Sequence, residues 1–91
     1  MSTKEKTSFA NETEEQLQDQ KSLILYNDDH NTFDFVIETL IDVCEHDPMQ
    51  AENCAMIAHF KGKCPVKSGT DKELIPYYTE MTNRELTVEI K

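Results

Sequence analysis

The chain has 91 residues, a formal net charge of −9 at pH 7 and a pI near 4.6. A chain of this length makes one domain with a modest core, which leaves little room for a large enzyme cleft. The negative charge argues against nucleic acid or an anionic membrane as the main partner, because either would repel it. No run approaches the ~20 apolar residues of a membrane span, and the N-terminus lacks the layout of a secretion signal, so we expect a cytoplasmic protein.

Residues 1–20 are strongly polar and show no sustained hydrophobic period. Their apolar residues are Met1, Phe9, Ala10 and Leu17. Too little apolar surface is present to offset the entropy of ordering the segment. We therefore predict a flexible acidic N-terminal tail over residues 1–20 and a folded core over residues 21–91.

The first predicted element of the core is a strand. The run Leu23–Tyr26 is apolar on both faces and ends at Asn27, a residue type common in turns. A helix is predicted to follow, with Asn31 as its N-cap and Asp34 three residues later. Apolar residues recur there at helical spacing on one face, at Phe33, Val36, Ile37, Leu40, Ile41 and Cys44.

A second helix has clear start and stop signals. Asp47 provides a capping carboxylate, Pro48 suits the first helical position, and Gly62 suits a left-handed C-terminal cap. One stripe of this helix carries small side chains, namely Ala51, Cys54, Ala55 and Ala58. Such a stripe either lets another element pack closely or leaves a hollow.

The last third of the chain predicts a weak strand, a helix and a second strand. Pro65 confines the strand over Cys64–Lys67 to an edge or a turn. Thr70–Glu73 has the form of a capping box, and we expect Pro76 to leave the helix that follows short or kinked. Alternating apolar and polar residues over Leu86–Ile90 predict a strand with one buried face. The order of elements indicates an α+β domain with helices on one face of a small sheet.

A group of polar residues is the candidate site. Asn27, Asp28 and Asp29 lie between the first strand and the first helix, and His59 reaches this junction if the second helix packs beside the first. Amide, carboxylate and neutral imidazole groups are rich in acceptors, so together they suit a protonated amine. The alternatives are a turn whose side chains bond the local backbone, and a histidine that only complements the end of its helix.

The three cysteines, Cys44, Cys54 and Cys64, show no CxxC pairing and are predicted to be reduced thiols, mostly buried. His46 and His59 lie near them in sequence, but the close ligand pairs of a structural zinc site are missing. A hydrolase is disfavoured because no nucleophile elbow or Gly-rich oxyanion loop is present. We expect neither an enzyme nor a bound cofactor or metal.

The stretch LILYNDDHNTFDFVIETL, followed by AHFKGK, resembles the ClpS adaptor family. Members of that family typically read V-I-L-x-N-D-D-Y-T-P-M-E-F-V and later V-H-x-x-G-K, and the interval between the two blocks is the same here. The resemblance implies a three-stranded antiparallel sheet with three helices packed on one face. It also implies an adaptor that binds proteins with a bulky hydrophobic N-terminal residue, an N-degron of the Leu, Phe, Tyr or Trp class. The adaptor would pass them to a Clp AAA+ unfoldase of the ClpA or ClpC type.

Matching the family motif assigns roles to individual residues. Asn27 and His59 would bond the α-amino group of the substrate, while Asp28 and Asp29 supply further acceptors or contact the peptide backbone. The side-chain pocket implied by the resemblance consists of Asn31, Phe33, Val36, Ala55, Ala58 and Leu86. In the family, the N-terminal arm takes part in delivery to the unfoldase, so the resemblance implies that residues 1–20 take part in delivery here.

Three pocket positions depart from the family pattern. Ala55 and Ala58 replace residues that are usually larger, and Phe33 replaces a smaller Met that screens out β-branched residues. These departures motivate an alternative, a divergent Clp-binding module that modulates the unfoldase without N-degron recognition.

Overall fold

A computed structural model describes residues 20–91, so the predicted N-terminal tail lies outside the described residues except for Gln20. The chain order is strand, two helices, strand, helix, strand, as the sequence predicted. The elements are β1 (Lys21–Tyr26), α1 (Phe33–Cys44), α2 (Pro48–Lys61), β2 (Lys63–Gly69), α3 (Asp71–Asn83) and β3 (Val88–Ile90). The predicted α+β class is confirmed.

The sheet is antiparallel, with β1 in the centre, β2 at one edge and β3 at the other. Leu23 and Leu25 of β1 are fully buried, because alternate residues of the strand face the helices. The edge strand β2 is longer than the predicted Cys64–Lys67, and its register with β1 shifts between Leu23 and Ile24. Pro65 lies on this edge strand, opposite Ile24 and next to the register shift, as the sequence predicted for a proline in a sheet.

The N-cap of helix α1 lies one residue later than predicted. Thr32, not Asn31, is the N-cap, and its hydroxyl accepts a hydrogen bond from the Phe35 N–H at 3.1 Å. The prediction was wrong because the Asn31 side chain acts as a donor elsewhere, to Asp28 and to the Glu85 carbonyl.

Helix α2 has the predicted ends. The Asp47 carboxylate accepts a hydrogen bond from the Gln50 N–H at 2.8 Å, and Pro48 occupies the first turn. Gly62 follows the helix in the left-handed region, with φ of 96°, and its N–H donates to the Ala58 carbonyl. The well-defined end of α2 matters because His59 lies in its last turn.

Helix α3 begins with the predicted capping box between Thr70 and Glu73. Pro76 was expected to leave this helix short or kinked; the helix is not short, since it continues for 13 residues to Asn83. Pro76 leaves only the Lys72 carbonyl without its helical donor, and both residues are exposed, so water can bond that carbonyl.

The core lies between the sheet and the three helices. Its central side chains include Leu23, Leu25, Leu40, Leu74, Met81 and Leu86. Among residues 20–91, no helix is long and apolar enough to cross a membrane. The core fixes the relative positions of β1, α1 and α2, and these elements enclose the candidate site.

Candidate functional site

A cavity of about 390 Å³ lies where the end of β1 meets the start of α1 and the C-terminal half of α2. It is lined by Leu25, Tyr26, Asn27, Asp28, Asp29, Asn31, Phe33, Val36, Ala55, Ala58 and His59. Its size falls within the range of small-ligand sites, which are roughly 300–1,000 Å³. The packing of α2 beside α1 therefore brings His59 to the strand-to-helix junction.

The structure brings together nine of the ten residues that the sequence placed in the site. The exception is Leu86, which is buried in the core and does not line the cavity. Leu86 follows Glu85, whose backbone is in the left-handed region. The Leu86 N–H donates to the Met81 carbonyl at 3.0 Å, so Leu86 is held against α3. Leu25 and Tyr26 also line the cavity, although the sequence analysis assigned them only to the strand.

The loop between β1 and α1 is organised around the Asp28 carboxylate. Its Oδ1 accepts hydrogen bonds from the backbone N–H groups of His30 and Asn31, both at 2.9 Å. The Asn31 side-chain amide donates to the same carboxylate, at 3.1 Å from Oδ2. The Asp28 side chain therefore serves as the hydrogen-bond acceptor for backbone N–H groups of the turn, as aspartate commonly does.

Two contacts tie this loop to the rest of the domain. The Asn27 N–H donates to the Gly62 carbonyl at 2.9 Å, which joins the loop to the residue after α2. The Asn31 amide donates to the Glu85 carbonyl at 2.9 Å, which joins it to the turn before β3. An exposed pair between the His30 Nε2–H and the Glu85 carboxylate, at 2.8 Å, adds little because solvent screens it.

Opposing effects act on the ionisation of Asp28. Partial burial acts to raise its pKa, but the hydrogen bonds from Asn31 and His30 and the charge of His30 outweigh it. The pKa of Asp28 is therefore lower than its usual value, and the ionised form is favoured in the folded loop.

Three other polar side chains of the cavity are not committed to the loop. Within residues 20–91, the side chains of Asn27, Asp29 and His59 make no hydrogen bond to another protein group. The His59 ring packs edge-on against Phe60, with ring centroids 4.9 Å apart. One amide oxygen, one carboxylate and one imidazole nitrogen are therefore available to a ligand.

The rest of the cavity lining is largely apolar. Ala55 and Ala58 of α2 are only 3% and 4% exposed, and Val36 of α1 is half-buried. Phe33, in the first turn of α1, is 38% exposed and forms part of the rim. The cavity thus joins a group of hydrogen-bond acceptors to a floor of small apolar side chains.

The cysteines and His46 lie outside the cavity. Burial raises the pKa of Cys44 to about 11 and that of Cys64 to about 12, so neither is a ready nucleophile. The buried His46 donates from Nε2 to the Val66 carbonyl at 2.8 Å. No group of three or more potential metal ligands occurs in the part of the chain that the structure describes.

Comparisons with known proteins agree with this architecture. The family described as ATP-dependent Clp protease adaptor protein ClpS matches residues 16–89. A comparison with curated proteins finds no match. Among solved structures, the chain is similar to Agrobacterium tumefaciens ClpS2 bound to L-phenylalaninamide, with a TM-score of 0.76 and 22% identity over 80% of this chain and 95% of that one. The chain belongs to the ClpS family of Clp protease adaptors.

Proposed function

We propose that this adaptor binds proteins through a bulky hydrophobic N-terminal residue with a free α-amino group, and delivers them to a Clp AAA+ unfoldase of the ClpA or ClpC type. The observation that carries the proposal is the cavity itself. It combines three hydrogen-bond acceptors, on Asn27, Asp29 and His59, with a lining of small apolar side chains. An amino-terminal residue has the complementary combination of an ammonium group and an apolar side chain.

The ammonium group has three N–H donors and no acceptor. The Asn27 amide oxygen, the Asp29 carboxylate and the His59 imidazole supply three acceptors for it, while Asp28 holds the loop that presents two of them. A hydrogen bond to a charged group contributes about 1.5–3 kcal/mol. An acetylated or internal residue lacks the charge and two of the donors, so it would lose most of this stabilisation.

The first side chain of the substrate would fill the apolar part of the cavity, against Val36, Ala55 and Ala58. Burying a large apolar side chain contributes about 1.5–3 kcal/mol. The summed contributions of the ammonium hydrogen bonds and the buried side chain are comparable to the binding free energy of about −8 kcal/mol that micromolar affinity requires, provided that the entropy cost is low. Hydrogen bonds within the protein organise the loop, which keeps that cost low.

The similar ClpS2 protein supports this choice of ligand chemistry. Its bound L-phenylalaninamide has a free α-amino group beside a hydrophobic side chain. Membership of the Clp adaptor family supports the delivery step, since such an adaptor acts together with an unfoldase. Delivery would be tested by whether the full chain accelerates degradation of a model protein with N-terminal Phe by a purified unfoldase and protease.

The binding step is tested with fluorescent peptides that differ only in their first residue. We expect peptides that begin with a free-amine Leu, Phe, Tyr or Trp to bind, and acetylated versions to lose at least about tenfold in affinity. Asn27→Ala and His59→Ala should each abolish capture without unfolding the protein. The matched control is Asn53→Ala, which removes an exposed amide on α2 outside the cavity. Equal binding of free and acetylated peptides would overturn the proposal.

A further inference from the structure

Two of the three cysteines lie on elements that pack against each other. Cys54 is in α2 and Cys64 is in β2, and the chain reverses direction between them at Gly62. This reversal brings the two residues together from different elements. Neither of them lines the cavity, so chemistry at this pair is separate from the proposed binding of an amino-terminal residue.

The thiols of Cys54 and Cys64 share one backbone acceptor. The Cys64 Sγ lies 3.4 Å from the Pro65 carbonyl oxygen, and the Cys54 Sγ lies 3.9 Å from the same atom. Burial, together with a hydrogen bond between the two thiols, raises the pKa of Cys64 to about 12. A disulfide needs two side chains that already point toward each other. Cys54 and Cys64 meet that requirement in the folded protein.

The exposure of the cysteines gives the two thiols different parts in an exchange reaction. Cys54 is partly exposed, whereas Cys44 and Cys64 are buried, so a dissolved oxidant reaches Cys54 first. Among residues 20–91, the Cys44 thiol makes no hydrogen bond to either of the other two. Cys64 is therefore the thiol placed to react second, on the sulfur of Cys54, without itself reaching solvent.

We propose that Cys54 and Cys64 form a reversible disulfide between α2 and β2 by exchange with a small-molecule disulfide. Cys54 loses its proton to water, and its thiolate attacks one sulfur of the small disulfide, which releases a small thiolate that takes up a proton. Cys64 then attacks the Cys54 sulfur, and the second small thiol leaves with the Cys64 proton. The protein gives up two hydrogen atoms, and the small disulfide is reduced to two thiols.

The bond would join the helix that carries His59 to the sheet. Because the two thiols are adjacent before oxidation, the bond closes without a large movement of α2. A crosslink stabilises a fold mainly by restricting the unfolded chain. The melting temperature of the oxidised chain is therefore expected to rise by roughly 5–15 °C. A lower melting temperature would show that the bond strains the native packing, and would overturn its assignment to this pair.

The experiment incubates the reduced full chain with oxidised glutathione, alkylates the remaining thiols and maps tryptic peptides by mass spectrometry. Trypsin cuts after Lys61 and Lys63, so a disulfide would hold the peptides of Cys54 and Cys64 together. Cys44 should be alkylated, and dithiothreitol should free all the thiols. Because Cys44 shares a tryptic peptide with Cys54, the Cys44→Ala variant serves as the matched control and should form the same crosslink.

Two further variants test the order of the steps. Cys64→Ala should stop at a mixed disulfide between Cys54 and glutathione, because the second thiol is missing. Cys54→Ser changes a partly exposed side chain and should leave Cys64 unreacted, so it tests the proposal even if the buried substitution unfolds the protein. A disulfide between two chains, a bond that includes Cys44, or a stable mixed disulfide at Cys54 of the wild type would overturn the proposal.

Discussion

The two walls of the cavity are built on different physical principles. The polar wall is a short loop whose shape depends on a few hydrogen bonds centred on Asp28. The apolar wall consists of side chains on α1 and α2, whose positions are fixed by packing of the helices in the core. A single lost hydrogen bond can therefore displace the loop that carries Asn27 and Asp29, whereas the helical walls, which carry His59 and the apolar side chains, should respond in proportion to side-chain volume.

Among the tests of the two walls, the largest expected effect comes from removing the centre of the polar wall. Asp28→Ala leaves the His30 and Asn31 N–H groups without their acceptor. We expect a loss of about 1–3 kcal/mol in the free energy of unfolding and at least about tenfold in affinity for free-amine peptides. Chemical denaturation and peptide titration measure the two changes.

The matched control is Asp47→Ala, which also removes a carboxylate that accepts a backbone hydrogen bond, but at the N-cap of α2. Asp47 bonds the Gln50 N–H at the start of α2, far along the helix from His59. This variant should lose about 1 kcal/mol of stability but retain peptide affinity. If both variants bind peptide as the wild type does, Asp28 does not hold the polar wall in place.

A second variant tests the support beneath the polar wall. Gly62 has φ of 96° and its carbonyl accepts the Asn27 N–H. A Cβ there meets no other atom within 4 Å, so Gly62→Ala adds backbone strain without a clash. We expect thermal or chemical denaturation to show a loss of about 1–2 kcal/mol. The neighbouring Lys61→Ala should change stability by much less, and equal stability of the two variants would refute the strain argument.

The apolar wall is tested by removing volume. Val36→Ala deletes part of a half-buried side chain that lines the cavity. Affinity should fall only about fivefold, since about 1 kcal/mol of apolar contact is lost. Val43→Ala, a half-buried position of the same helix outside the cavity, should keep the wild-type affinity. A loss as large as that of Asp28→Ala would mean that the walls do not differ as described.

The smallest expected effect is a pH dependence of stability. Because the pKa of Asp28 is lower in the folded chain than usual, its stabilisation is present above pH ~4 and is lost as the pH falls through the lowered value. The stability difference between wild type and Asp28→Asn should therefore shrink between pH 5 and about 2. A constant difference across that range would contradict the lowered pKa.

The helix ends show how far the sequence determines the fold. The caps at Asp47, Gly62 and Thr70 were predicted because each depends on local chemistry that a few neighbouring residues determine. The start of α1 was misassigned because the Asn31 amide bonds the distant Glu85 carbonyl, a partner that no local pattern reveals. Pro76 was expected to leave α3 short or kinked, but the helix continues to Asn83, since solvent can reach the one carbonyl that loses its donor.

The site shows the same difference between features set by neighbouring residues and features set by distant contacts. The motif around Asn27 and His59 identified most residues of the cavity, since it fixes both the loop and the last turn of α2. Leu86, which the resemblance assigned to the side-chain pocket, is buried in the core and does not line the cavity. The internal role of Asp28 matches the alternative of a turn whose side chains bond the local backbone, since its donors are the backbone N–H groups of His30 and Asn31.

The most direct test of the proposed function is a nuclear magnetic resonance titration of the isotope-labelled full chain with a Phe-initiated peptide and its acetylated twin. The free-amine peptide should shift the resonances of Asn27, Asp29 and His59, together with the methyl signals of Ala55 and Ala58. The acetylated peptide at the same concentration should shift few of them. Equal shifts with both peptides, or shifts confined to other surfaces, would contradict amine recognition in this cavity.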